Sequence, residues 1–147
     1  MTIRALSPRR AAWPLAALAA AVVLQGCTPP PPAASGTRLF ASDFAGGAKS
    51  CSVPSVTVVD SKATPVAMTV GNDGGWCGIT VSQSGPEPFS AGLLTEAPEH
   101  GKIYIHTVGD ATRIDYTPDT RFTGHDRFAV RLIPGNGVLQ VAVTVTP

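Results

Sequence analysis

Short runs of apolar and β-branched residues recur along the chain after residue 37, and clusters of Gly, Pro, Asn and Asp separate them. None of these runs sustains the 3.6-residue period of an amphipathic helix, whereas the last one alternates as a half-buried strand does. The tripeptide Gly135-Asn136-Gly137 before that run is typical of a β-hairpin turn. Strands are predicted at residues 38–44, 55–59, 66–70, 77–82, 102–108, 112–117, 127–133 and 138–146. Eight short strands at this spacing predict an all-β fold, a single antiparallel β-sandwich.

A stretch rich in aromatic and turn residues predicts a corner between two of these strands. Tyr116, Phe122 and Phe128 lie at even offsets from one another, so in extended chain all three can point toward one core. Gly124 can adopt the positive φ that such a corner needs, and Asp126 can accept hydrogen bonds from nearby backbone N–H groups. The residues that define this predicted turn are Tyr116, Pro118, Phe122, Gly124, Asp126 and Phe128.

Residues 1–26 have the three-part plan of a secretory signal peptide. A basic opening precedes an apolar run rich in Ala, Leu and Val, and the run ends at the tetrapeptide Leu24-Gln25-Gly26-Cys27. The apolar run is shorter than the roughly 20 residues that span a bilayer, and Pro14 interrupts it. We therefore expect no transmembrane helix in the mature chain.

The tetrapeptide Leu24-Gln25-Gly26-Cys27 resembles the lipobox of bacterial lipoproteins. The resemblance implies cleavage before Cys27, a diacylglycerol on the Cys27 sulfur and an acylated amino terminus, in place of a buried or disulfide-bonded thiol. Three acyl chains anchor a protein far more firmly than a single chain does. In this family an Asp after the cysteine commonly means retention at the inner membrane. Thr28 occupies that position, so the resemblance predicts an outer-membrane lipid anchor in the cell envelope, on the periplasmic side.

The composition after Cys27 predicts a spacer followed by one domain. Residues 27–36 contain four consecutive prolines, which favour an extended, semi-rigid linker. Cleavage of the signal leaves 8 basic and 10 acidic residues, a net charge of −2. Because the mature chain has no basic patch, we expect no nucleic-acid partner. Residues 37–147 suffice for a single domain.

Two further cysteines predict one structural disulfide. Cys51 and Cys77 remain after lipidation of Cys27, and an exported chain meets an oxidising compartment. Closing a loop of about 27 residues contributes roughly 3.6 kcal/mol on the chain-entropy model. Trp76, directly before Cys77, is expected to cover the bridge or the sandwich edge, with ligand stacking as the alternative.

The C-terminal half carries a pattern of turn residues and aromatics. A Pro-x-His-Gly turn and a strand precede Tyr-x-Pro, Phe-x-Gly-x-Asp-x-Phe and a Val-rich strand. The matching residues are Pro98, His100, Gly101, Tyr116, Pro118, Phe122, Gly124, Asp126, Phe128 and residues 141–145. Over about 55 residues this pattern resembles the bacterial Ig-like, cadherin-like repeat, which implies an Ig-like sandwich. Family members serve as adhesive, spacer or binding modules and share no chemistry. The usual Asp after the Phe128 strand is replaced by Leu132-Ile133-Pro134, which argues against calcium bound between repeats.

Motifs for catalysis are weak in this sequence. His100 and His106 are six residues apart and would share one face of a straight strand, with His125 on a later turn. Their spacing matches no zinc motif, and the chain has neither a Gly-x-Ser-x-Gly elbow nor a convincing carboxylate pair. We expect no cofactor and no metal.

The sequence thus predicts a lipid-anchored cell-envelope protein with a non-catalytic Ig-like module on a proline-rich linker. Its expected partner is a protein or an envelope polymer. Trp76 and Phe89 are the candidate contact residues, because they lie in polar or aromatic loops outside the alternating strands. The alternative is a small periplasmic metal-binding protein or enzyme that uses His100, His106 and His125.

Overall fold

The computed structural model describes residues 37–147; the predicted signal peptide, lipobox and spacer lie outside the described residues. The described chain contains a short 3-10 helix, η1, and eight strands. No helix within residues 37–147 is long and apolar enough to cross a membrane. The elements are η1 (Ala41–Phe44), β1 (Cys51–Ser52), β2 (Ala63–Gly71), β3 (Cys77–Val81), β4 (Ala91–Glu96), β5 (Gly101–Val108), β6 (Ala111–Pro118), β7 (Gly124–Ile133) and β8 (Val138–Thr146).

The strands form two sheets that pack as an all-β, Ig-like sandwich, which confirms the predicted fold class. One sheet has the order β1-β2-β8-β7-β4 and the other the order β3-β6-β5. One pair departs from the predicted antiparallel pattern, since β2 runs parallel to β8 from Ala63↔Val138 to Gly71↔Thr146. These two strands lie far apart in the sequence, so no hairpin forces them to run in opposite directions.

The core lies between the sheets and follows the alternation of the strands. β8 buries every second residue, as the sequence pattern predicts for a strand with one covered face. Tyr116 and Phe128 are fully buried, and their nearly parallel rings lie 5.9 Å apart. Phe122 is half-buried against the core. The predicted convergence of the three aromatics is therefore confirmed, with Phe122 at the rim.

The disulfide between Cys51 and Cys77 is present, with 5.3 Å between the two Cα atoms. It joins β1 of the five-stranded sheet to β3 of the three-stranded sheet. The predicted hairpin between β7 and β8 is also confirmed. Asn136 has a φ of 55°, and the Leu132 N–H donates to the carbonyl of Gly137 at 2.9 Å.

Two predicted strands are not strands. Residues 38–44 instead contain η1, because the Phe40 N–H donates to Asp43 Oδ2 at 2.7 Å and the Asp43 N–H donates to the Phe40 carbonyl at 2.9 Å. These bonds close a turn that an extended chain cannot make. Residues 55–59 pair with no strand, although alternate valines pack against the core. The alternation of valines in this segment therefore reflects their burial against the core and not pairing in a sheet.

Two strands of the structure, β1 and β4, are not among the predicted ones. β4 exposes five of its six residues, so it lacks the alternation that marks a half-buried strand. Its Gly92 faces the core, where a Cβ would come within 2.9 Å of the Ile105 side chain. Leu93 and Leu94 are both substantially exposed, at 51% and 43%.

Candidate functional site

The outer face of the three-stranded sheet carries charged groups that are nevertheless buried. β6 directs Ile114 and Tyr116 into the core, so Arg113 and Asp115 stand on the opposite face. Both are almost fully covered, with 7% and 4% of their surfaces exposed. A charge that leaves water needs a partner and hydrogen bonds, so the surroundings of these two side chains decide whether this arrangement is stable.

Arg113, Asp115 and His106 supply those partners to one another and are called the buried cluster below. Arg113 Nε lies 2.9 Å from Oδ1 of Asp115 and 3.2 Å from Oδ2, and only Oδ2 receives a well-aligned hydrogen bond. His106 Nε2, on the neighbouring strand β5, lies 3.0 Å from the same Oδ2. Because a carboxylate only accepts hydrogen bonds, Nε2 of His106 carries the proton.

Residues 37–47, called the strap below, cross the buried cluster and cover it. Arg113 Nη1 donates to the carbonyl of Asp43 in the strap. The guanidinium lies 4.0 Å from the centroid of the Trp76 ring, a cation–π contact, and Trp76 Nε1 donates to the carbonyl of Ala45 at 2.9 Å. Arg113 and Trp76 therefore hold the strap from beneath.

Backbone hydrogen bonds fix the end of the strap against the start of β3. The Trp76 N–H donates to the carbonyl of Gly46 at 3.0 Å, and the Ala48 N–H donates to the carbonyl of Trp76 at 2.8 Å. On β3, a Cβ at Gly78 would lie 2.6 Å from Oδ1 of Asp115. Glycine at this position therefore leaves the room that the buried cluster occupies.

The outer side of the strap is apolar and exposed. Residues 37–147 expose seven large apolar side chains. Three of them belong to the strap, and a fourth, Tyr104, lies on β5 on the outer face of the three-stranded sheet. The Tyr104 ring lies 4.5 Å from the His106 ring, which ties it to the buried cluster. These four residues are called the apolar face: Leu39, Phe40, Phe44 and Tyr104, exposed by 54%, 62%, 63% and 65%.

Of the two contact residues predicted from the sequence, one is buried and the other is partly covered. Phe89 is 8% exposed and packs in the core, and its N–H donates to Thr112 Oγ1 at 2.8 Å. It offers no surface to a partner, so that prediction is wrong. A residue outside the alternating strands can still anchor a loop to the core. Trp76 is half-buried and supports the strap, with Arg113 over its ring.

The three histidines of the alternative prediction are not brought together. His100 stacks on Phe122 with 4.1 Å between the ring centroids, and His106 belongs to the buried cluster. His125 lies on β7 of the other sheet, with Nδ1 3.4 Å from Thr144 Oγ1. Within residues 37–147, no group of three or more His, Cys, Asp or Glu side chains is placed to hold a metal ion.

Asp126 organises the corner that the sequence predicted. Its Oδ1 accepts from the N–H groups of Glu99 and Arg127 at 3.0 and 2.8 Å, and its Oδ2 accepts from the His100 N–H at 3.0 Å and the Tyr116 hydroxyl at 2.9 Å. Burial acts to raise the pKa of Asp126, but the four hydrogen bonds together hold that pKa below its ordinary 3.8. Burial, reinforced by the bond to Asp126, raises the pKa of Tyr116 above 10.

Comparison with known proteins assigns no family. No protein-family model matches the chain, and no curated protein matches it. The lipobox and the Ig-like, cadherin-like repeat therefore stay predictions that depend on the residues that carry the two patterns.

Proposed function

We propose that the chain is a lipid-anchored protein of the bacterial cell envelope whose Ig-like module binds without catalysis, through the apolar face. Cys27 would carry the lipid, residues 28–36 would set the reach of the module, and the strap would present the contact side chains. The observation that supports this binding surface most directly is the exposure of Phe40 and Phe44 on a segment that is held from beneath.

The energetics of the strap favour binding. Burying a fully exposed Phe or Leu side chain contributes roughly 1.5–3 kcal/mol. The four side chains of the apolar face are a little more than half exposed, so covering each one recovers part of that free energy. A loose segment would lose much of that gain to ordering on association. The cation–π contact and the hydrogen bond to Ala45 order the strap in advance. Large apolar side chains that stay exposed together on one part of a module typically mark an interaction surface.

The lipid anchor is tested by metabolic labelling of the full chain in a Gram-negative cell. We expect labelled fatty acid on the unsubstituted protein and none on Cys27→Ala. The resemblance to lipoproteins also predicts that Thr28→Asp, which keeps the cysteine, redirects the labelled protein from the outer to the inner membrane. Label on Cys27→Ala, or firm membrane retention of that variant after an alkaline wash, would contradict the anchor.

The binding surface is tested by photocrosslinking in intact cells. A benzoylphenylalanine in place of Phe44 should form an adduct with whatever covers the apolar face. Val59, which is 45% exposed but lies outside the apolar face, provides the matched control position. Equal adduct yields at the two positions would show that the apolar face has no privileged partner.

A further inference from the structure

We infer that the partner of the apolar face is the surface of the phospholipid bilayer, on which the strap seats the module. The inference rests on the proposed lipidation of Cys27, and it deepens the proposed function by naming what the apolar face contacts. The acyl chains would hold the protein at the membrane, and the apolar face would set the orientation of the module on it.

Chain length gives the first argument. Nine residues separate Cys27 from Thr37, where the strap begins. A polypeptide spans at most about 3.3–3.6 Å per residue, so the Cα atoms of Cys27 and Thr37 lie within about 36 Å of each other. The strap is thus the first part of the module after the tether. A short tether keeps its effective concentration at the bilayer in the millimolar range, so a weak contact there is well populated.

The chemistry of the apolar face gives the second argument. Aromatic rings favour the boundary between headgroups and acyl chains, and three of the four side chains are Phe or Tyr. Two exposed cations, Arg38 and Lys102, flank the apolar face in the sequence, at the start of the strap and on β5. An anionic membrane surface attracts cations placed close to it.

Two carboxylates near the apolar face accept hydrogen bonds but keep their negative charge and offset the two cations, so the contact depends on the apolar side chains rather than on net charge. Asp43 Oδ2 accepts from the Phe40 N–H at 2.7 Å, and Asp110 Oδ2 accepts from the Thr37 hydroxyl. The four apolar side chains project from the strap and from β5 with more than half of their surface exposed. Projecting side chains suit a fluid surface that closes around them.

Seating on the bilayer gives the module a defined orientation. The apolar face and the three-stranded sheet would lie against the headgroups. The outer surface of the five-stranded sheet, which carries Arg127 and Arg131, would then face away from the membrane.

The test uses the lipidated full-length mature protein in vesicles of phosphatidylethanolamine and phosphatidylglycerol that contain brominated lipid. Bromine quenches tryptophan fluorescence only at close range, so Phe44→Trp reports whether the apolar face reaches the bilayer. Leu93→Trp on β4 is the matched control, because Leu93 is 51% exposed and lies outside the apolar face. The unsubstituted protein supplies the background of Trp76. We expect Phe44→Trp to be quenched several-fold more strongly than Leu93→Trp.

A second reporter, Tyr104→Trp, keeps the inference testable if Phe44→Trp folds poorly, and it should also be quenched. Flotation of the vesicles measures anchoring separately from seating. If all variants float but neither reporter is quenched more than Leu93→Trp, the inference is overturned while the lipid anchor stands. A protein adduct in place of a lipid adduct at Phe44 in the crosslinking experiment would overturn it as well. Absence of the lipid itself would instead defeat the proposed function.

Discussion

Asp126→Asn should destabilise the module through the corner where the start of β7 is bonded to the β4–β5 loop and to Tyr116 of the core. The carboxylate accepts hydrogen bonds from three backbone N–H groups and from the hydroxyl of Tyr116. Each carboxylate oxygen accepts from two donors, but an asparagine has only one accepting oxygen. Two of the four donors would therefore face an NH2 group. Hydrogen bonds to a charged acceptor contribute about 1.5–3 kcal/mol each and neutral ones about 1 kcal/mol. If four bonds to the carboxylate are replaced by two bonds to a neutral amide, the lower value gives a loss of about 4 kcal/mol in the free energy of unfolding.

Urea denaturation of the full mature chain, followed by tryptophan fluorescence, measures this loss. Tyr116→Phe removes a single donor and should cost about 1 kcal/mol. Glu87→Gln, at an exposed carboxylate, should change the free energy of unfolding by less than about 0.5 kcal/mol. A loss below about 1 kcal/mol for Asp126→Asn would refute the role given to this carboxylate.

The same variant has a pH signature. Folding lowers the pKa of Asp126 below 3.8, so the stabilisation from the ionised group is present above that value. It is lost as the pH falls through 3.8 toward the lower pKa of the folded state. The difference in stability between the unsubstituted protein and Asp126→Asn should therefore be constant above about pH 5 and shrink below about pH 4. A difference that does not change on acidification would contradict the assignment.

Three further predictions concern other parts of the module. In Tyr104→Phe, a spectrophotometric titration should show the remaining phenol, Tyr116, ionising only above its ordinary pKa of 10 or on unfolding, whereas an ordinary titration curve would contradict its burial. Reduction of the Cys51–Cys77 disulfide should lower the free energy of unfolding by about 3–4 kcal/mol, and an unchanged urea midpoint would argue against that contribution. Gly78→Ala should lower the free energy of unfolding by about 1–3 kcal/mol, because the added methyl group crowds the buried cluster. The same substitution should speed proteolysis within the strap. An unchanged cleavage rate would show that the buried cluster does not hold the strap.

Features that depend on neighbouring residues could be predicted from the sequence. The even spacing of Tyr116 and Phe128 placed both rings in the core, and Gly135-Asn136-Gly137 marked the β7–β8 hairpin. The Cys51–Cys77 disulfide followed from the expected compartment and the count of cysteines. Each of these features is determined by local backbone geometry or by a general rule of chemistry, and both can be applied to the sequence alone.

Features that depend on distant contacts could not be predicted in this way. Arg113 reads as a solvated charge on an outward-facing position, and only the strap, some 70 residues earlier, explains its burial. The strap itself looked like a strand, because its apolar residues resemble a β-run and the turn made by Asp43 is not evident from composition. Phe40 and Phe44, four residues apart next to the spacer, are the signal that could have indicated an exposed aromatic surface.

The intact mass of the mature protein, extracted from membranes with detergent, tests the central claim most directly. If the chain is a lipid-anchored module, its first residue is Cys27, and the mass exceeds that of residues 27–147 by a diacylglycerol group and one further acyl chain. A chain that still begins at Met1, or one that begins at Cys27 with no added lipid, would contradict the claim that this sandwich acts at a membrane surface.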